Sequence, residues 1–246
     1  MAHISIELVP RSKEALRAEI DFIEQELSSV GMVNVPDLLR FDLRSWDACE
    51  LARQRVPRAV PHLRAMDFSL EDAAQIANLL ADKGLNEVLV VRGDPPQNPH
   101  RPIHPTSSAA LIRALKGANP QLKVYGGFDP YCRGMRDELD RAQEKLSAGA
   151  DALFTQPIFD LRFMDICAEL LNDAVIFWGV SPVLSVKSRN YWEVKNRAFF
   201  PNDFELSLAW NRTFAARCLE WAEQRKTNLY FMPIRVDLKD YLSGLL

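Results

Sequence analysis

The chain has 246 residues, 48% of them hydrophobic and 26% charged, with a formal net charge of −3. That length carries one large core, and the composition is that of an ordinary globular protein. The slight negative charge argues against a nucleic-acid footprint, and the absence of an apolar run of about 18 residues argues against a membrane-spanning helix.

In chain order, eight segments read as strands: Ile4–Val9, Leu38–Leu43, Ala59–Met66, Glu87–Arg92, Lys123–Phe128, Ala152–Phe159, Ala174–Val183 and Asn228–Ile234. The first follows the N-terminus directly, without the basic and apolar regions of a secretory signal, so a cytoplasmic protein is expected. Helical stripes separate most of the strands. Leu16, Ile20, Ile23 and Leu27 keep a 3.6-residue period, and Ser69 with Asp72 resembles a capping box ahead of Ile76, Ala77 and Leu80. Gly84 closes that helix, and Gly149 closes another marked by Met135, Leu139, Ala142 and Leu146. Leu111 and Leu115 mark a short helix. Phe163, Cys167 and Leu170 mark the next, and Trp210, Phe214, Cys218 and Trp221 the last. Strand–helix alternation without a composition break predicts a parallel sheet in a single domain over residues 1–246. Eight strands favour a closed (β/α)8 barrel over an open doubly wound sheet. Pro95–Pro105, with five prolines and two histidines, reads as a long irregular loop on the functional rim.

Three strand ends deliver polar groups. Leu89-Val90-Val91 runs into Arg92-Gly93-Asp94, where a glycine turn places Asp94 at the carboxyl end of a strand. Glu7 alternates with Ile4, Ile6 and Leu8 and so faces the barrel interior. There it is either half of an ion pair or a general acid whose pKa the apolar lumen raises. Gln156 ends the sixth strand, and its amide either bonds neighbouring backbone or recognises a heterocycle. His62 reads as a core histidine rather than a ligand, since no second histidine stands at metal-binding spacing, and no metal site is expected. Cys49, Cys132, Cys167 and Cys218 form no Cys-x-x-Cys pair, which leaves them as core fillers, except that Cys132 could line a site. No Gly-rich dinucleotide fingerprint, phosphate-binding loop or nucleophile elbow is present.

Together these segments resemble the methylenetetrahydrofolate reductase family over roughly residues 4–185. The resemblance lies in Ile6-Glu7-Leu8-Val9-Pro10-Arg11, Pro61-His62-Leu63, Val91-Arg92-Gly93-Asp94, and Ala148-Gly149-Ala150 followed by Thr155-Gln156 and Phe159-Asp160, in the family's order and spacing. It implies a flavin-containing (β/α)8 TIM barrel that reduces 5,10-methylenetetrahydrofolate to 5-methyltetrahydrofolate with NAD(P)H in a ping-pong cycle. By the same resemblance Glu7 matches the general acid, Gln156 the pterin-binding amide, and Asp94 a carboxylate near both pterin and flavin. His62, Arg92, Gly93 and Phe128 fall at flavin-contacting positions, and Glu138 and Lys145 at the ribose and phosphate side of FAD. The sequence also differs from the family. Phe41-Asp42-Leu43-Arg44-Ser45 stands where the family's second strand ends in Thr-Tyr-Gly-Ala, and Glu144 takes a basic position. Val183–Val186 lacks the aromatic residue expected near the folate face. The alternative reading is a flavin-less folate-binding protein or subunit that serves a partner methyltransferase or reductase. A tetrahydrofolate derivative is the expected partner in either case, with a homo-oligomer or a partner subunit as the assembly.

Overall fold

The computed structural model describes residues 3–96, 98, 100–172 and 174–246. Gln97 and Pro99 of the proline-rich loop therefore lie outside the described residues. The elements run β1 (Ile4–Glu7), α1 (Lys13–Glu26), β2 (Val30–Val35), α2 (Ser45–Ala52), β3 (Arg58–Arg64), α3 (Ala73–Asp82), β4 (Glu87–Val91) and α4 (Ser108–Ala118). They continue with β5 (Lys123–Phe128), α5 (Met135–Ser147), β6 (Ala152–Pro157), α6 (Leu161–Leu171), β7 (Ile176–Val180), α7 (Val186–Asn190), a π-helical turn (Tyr191–Lys195), α8 (Leu208–Arg225), β8 (Asn228–Phe231) and α9 (Leu238–Leu242). All neighbouring strands pair in parallel, and β1 closes on β8 through Ile4 opposite Leu229 and Ser5 opposite Tyr230. The expected (β/α)8 barrel is thus formed.

Strand alternation builds two nested cores. Ile4, Ile6 and Leu8 point outward with Val33, Val88, Val124 and Leu153 to meet the helices. Met32, Val60, Leu89, Tyr125, Phe154, Phe177 and Tyr230 fill the lumen, where the Phe154 and Phe177 rings stack at 4.3 Å. At the amino ends of the strands, Arg58 grips both carboxylate oxygens of Glu87 at 2.8 Å, and the Tyr125 hydroxyl donates to the same carboxylate at 2.8 Å. Burial alone would raise the Glu87 pKa, but these bonds outweigh it and hold the carboxyl below its ordinary value. The lumen is therefore filled at the starts of the strands among the described residues.

A third cluster, Tyr131, Phe159, Val183, Trp192 and Ala198, joins the segments that follow β5, β6 and β7. It walls one side of the carboxyl-end rim.

Two sequence expectations are corrected. Leu38–Leu43 is a turn, and the second strand is Val30–Val35. Gly31 and Asn34 interrupt the apolar pattern there, yet Asn34 is fully buried because its amide is bonded within the lumen. In α6 the core stripe is Met164, Cys167 and Leu171, while Leu170 is 48% exposed. The capping box at Ser69 and Asp72 is present, and Gly84 and Gly149 turn the chain with positive φ after α3 and α5.

Candidate functional site

Glu7, His62, Arg92, Gly93, Asp94, Phe128, Glu138, Lys145 and Gln156 all border one cavity of about 510 Å3 at the carboxyl ends of the strands. They come from β1, β3, the β4 elbow, β5, α5 and β6, so chain topology alone brings them together.

Glu7 is the last residue of β1 and faces the lumen. No hydrogen bond or ion pair reaches its carboxyl among the described residues, so the ion-pair alternative is not realised. Burial away from water raises its pKa from 4.5 to about 7. Such a group carries a proton in part of the population at neutral pH and can release it to a ligand.

His62 borders the same cavity from β3, 7% exposed. Its Nε2 is 2.9 Å from Asn34 Oδ1, and Asn34 Nδ2 donates to Ser5 Oγ at 2.9 Å. The Asn34 oxygen thus accepts the Nε2 proton, which fixes the tautomer with Nδ1 unprotonated. Burial lowers the imidazole pKa to about 3 against the opposing field of Asp37, so the ring is neutral.

The elbow after β4 is set by Gly93, whose φ is +85°. A Cβ there would lie 2.9 Å from Arg64 Nε and 3.0 Å from Arg64 Cβ. Arg64 fills that space and donates to the Asp94 carbonyl at 2.5 Å. The backbone of the elbow is thereby pinned, while the Arg92 and Asp94 side chains stand exposed at the rim. Asp67 braces the arrangement: it faces Arg64 at 3.5 Å and pairs with Arg101 of the proline-rich loop at 3.0 Å.

Gln156 is partly exposed to the cavity, and its side-chain amide makes no hydrogen bond among the described residues. The amide is therefore available to a ligand. Phe128 borders the cavity, but its ring is 1% exposed and belongs to the helix-facing core, because Gly127 holds the lumen position beside it. Glu138 is buried and bonded to Arg141 at 3.0 Å. Lys145 is buried and donates to the Gly127 carbonyl at 2.6 Å, and desolvation lowers its pKa.

A second cavity of about 410 Å3 shares Arg92, Ser108, Arg141 and Lys145 with the first. It also takes in His104, Arg133, Glu144 and the amino-terminal turn of α4. Arg92 and Arg133 make no ion pair among the described residues. Free guanidiniums at a helix amino-terminus suit a phosphate or carboxylate, with Glu144 the one opposing charge in this wall.

Sequence reasoning missed Asn34, Arg64, Tyr191, Trp192 and Tyr230. Asn34 was hidden by the misplaced second strand. Arg64 carries a signal of its own, a charge inside an apolar strand run. Tyr191 and Trp192 come from a π-helical turn, which has no clear sequence signature. Tyr230 sits on β8 within the lumen cluster and borders the cavity, with its hydroxyl bonded to the Thr155 carbonyl.

A 5,10-methylenetetrahydrofolate reductase of Pectobacterium carotovorum subsp. carotovorum is 28% identical over 149 residues, covering 58% of this chain and 50% of that protein. The enzyme of the same description from Escherichia coli (strain K12) is 27% identical over 134 residues, covering 52% and 45%. The chain thus spans about half the length of these relatives. Among solved structures, an uncharacterized protein from Clostridium thermocellum that binds two copies of 5-methyl-5,6,7,8-tetrahydrofolic acid superposes with a TM-score of 0.66, at 14% identity over 95% of this chain and 90% of that one. A 2,3-dimethylmalate lyase shares the fold with a TM-score of 0.58 at 11% identity, over 95% of this chain and 75% of that one. The model of the family described as methylenetetrahydrofolate reductase matches residues 40–209, more than half of the molecule and most of the cavity wall, and the chain belongs to that family.

Proposed function

We propose that this protein reduces 5,10-methylenetetrahydrofolate to 5-methyltetrahydrofolate with NAD(P)H and a bound flavin. The observation that carries the reading is Glu7: a partly buried carboxyl near pKa 7 that, like the side-chain amide of Gln156 in the same cavity, has no partner among the described residues. Family membership and the folate bound by the Clostridium thermocellum protein of the same fold support a folate as the ligand.

In this reading the Glu7 acid gives its proton to the folate nitrogen that is released when the five-membered ring opens. Gln156 offers a donor and an acceptor to the pterin edge, and losing such a pair costs about 1–3 kcal/mol. Asp94, exposed at the rim, accepts from the same ring system. His62 stays neutral and presents Nδ1 as an acceptor, so it adds no charge to the wall. The residues also suit a flavin dinucleotide. Arg92, Arg133, Arg141 and the α4 amino-terminus would hold its phosphates, and the elbow backbone at Gly93 would lie close to its ring. The flavin, when bound, would carry the hydride from nicotinamide to folate.

One observation favours the flavin-less alternative. Lys145 is already committed to the Gly127 carbonyl and Glu144 stands in the phosphate wall, which weakens that end of the cleft for a diphosphate. The deciding experiment is the visible spectrum of purified protein, before and after incubation with FAD, followed by turnover with NAD(P)H and 5,10-methylenetetrahydrofolate. A flavin spectrum with formation of 5-methyltetrahydrofolate supports the reductase. A colourless protein that cannot be loaded with flavin, yet binds 5-methyltetrahydrofolate in calorimetry, supports the folate binder. No folate binding in either flavin state overturns both.

A further inference from the structure

Tyr191 stands outside the residues that the proposed reading uses. It is the first residue of the π-helical turn that follows α7, and it borders the main cavity. The wide turn is locked at its carbonyl, which accepts from the Asn196 backbone N–H at 3.3 Å and from Asn196 Nδ2 at 2.9 Å. The next residue, Trp192, is 3% exposed and anchored in the aromatic cluster of the rim. Its ring meets Tyr191 edge-on, with centroids 5.3 Å apart and planes at 77°. Tyr191 itself is 46% exposed, and its hydroxyl has no hydrogen-bond partner among the described residues. The Lys195 ammonium lies over its ring, 5.5 Å from the centroid.

A large aromatic side chain left half-exposed keeps much of its apolar surface in water, and this one packs against a buried neighbour. π-Helical turns concentrate at functional sites because the inserted residue redirects side chains. Here the turn sends Trp192 inward as an anchor and leaves Tyr191, the residue before it, at the cavity mouth. An aromatic ring at the edge of a cavity suits a flat ring, and stacking is insensitive to the pattern of donors and acceptors. Deeper polar groups, Gln156 and Glu7, supply that pattern.

We propose that Tyr191 is the stacking platform on which the planar heterocycle of the ligand rests at the cavity mouth. This rests on the folate reading above and adds a residue that touches the ligand. The heterocycle is the pterin of a reduced folate, and a nicotinamide is the competing source of the same flat ring. The test is calorimetric titration of wild type, Tyr191→Phe and Tyr191→Leu with 5-methyltetrahydrofolate, and separately with NADH. Thermal melting serves as the control for folding, and an exposed position predicts unchanged melting in both variants. The expected result is that Tyr191→Phe keeps wild-type folate affinity while Tyr191→Leu loses roughly tenfold, the scale of one stacked ring. Equal folate affinity in all three proteins overturns the platform and leaves the folate reading standing. A loss confined to NADH also overturns it, because the ring would then be the nicotinamide. Failure of wild type to bind any reduced folate overturns the reading itself, and the platform with it.

Discussion

Glu7 makes the site sensitive to pH in two ways. Its carboxyl is raised from 4.5 to about 7 by burial. A raised value in the folded state means that folding favours the protonated form. The associated stability is complete below about pH 4.5 and is lost as pH rises through 7. The shift corresponds to at most about 3.5 kcal/mol. Glu7→Gln removes this loss, so the variant should melt above wild type at pH 8 and level with it near pH 4 by scanning calorimetry. In the proposed reaction the same variant should slow folate reduction by about 10²–10⁴-fold and leave NAD(P)H oxidation by an artificial acceptor nearly intact. An equal fall in both half-reactions would make Glu7 structural. Gly93 gives a second expectation at this scale. Gly93→Ala would combine a disfavoured φ with contact against Arg64, costing about 1–3 kcal/mol. Chemical denaturation should show that loss, together with weaker ligand binding as the elbow shifts.

Among the elements, β2 shows how far the sequence could be read. Its neighbours were legible because Val, Ile and Leu alternate or run together in them. The elbow at Gly93 was legible because a glycine after an apolar strand has few other uses. In β2, Gly31 and Asn34 look like turn residues, and Leu38-Leu39 nearby looks more like a strand. Only the tertiary contacts reverse this, since Asn34 bridges Ser5 and His62 across three strands. Such a bridge has no local signature, and the same holds for Arg64 against Gly93 and for Tyr191 on its π-turn. Asn34→Leu should strand the Ser5 hydroxyl and the His62 N–H, costing about 2–4 kcal/mol by urea titration. A loss below about 0.5 kcal/mol would mean that water replaces both bonds. The starts of β3 and β4 carry the opposite kind of polar contact. Arg58→Met would leave the Glu87 carboxylate buried beside only Tyr125, and should cost about 3 kcal/mol at pH 7. Glu87 is held below its ordinary pKa of 4.5, so this penalty should stand above pH 4.5 and shrink as pH falls below it, through the lowered folded value, and the carboxyl protonates.

At the level of the whole molecule, the barrel divides into a closed end and a working end. Arg58, Glu87 and Tyr125 fill the lumen at the strand starts, and the aromatic layer of Phe154, Phe177 and Tyr230 lies above them. This division was foreseeable from eight strands and helices. The height at which the filling stops was not, because it depends on Gly127 and on which side chains of each strand reach inward. The cavity lies at the carboxyl ends of the strands, and the lumen beneath it is packed with side chains among the described residues. On the proposed ping-pong reading, the ligands of the two half-reactions would occupy this space in turn and exclude one another. On the proposed reading, a slowly departing product would stand in the place of both the folate and the nicotinamide ring.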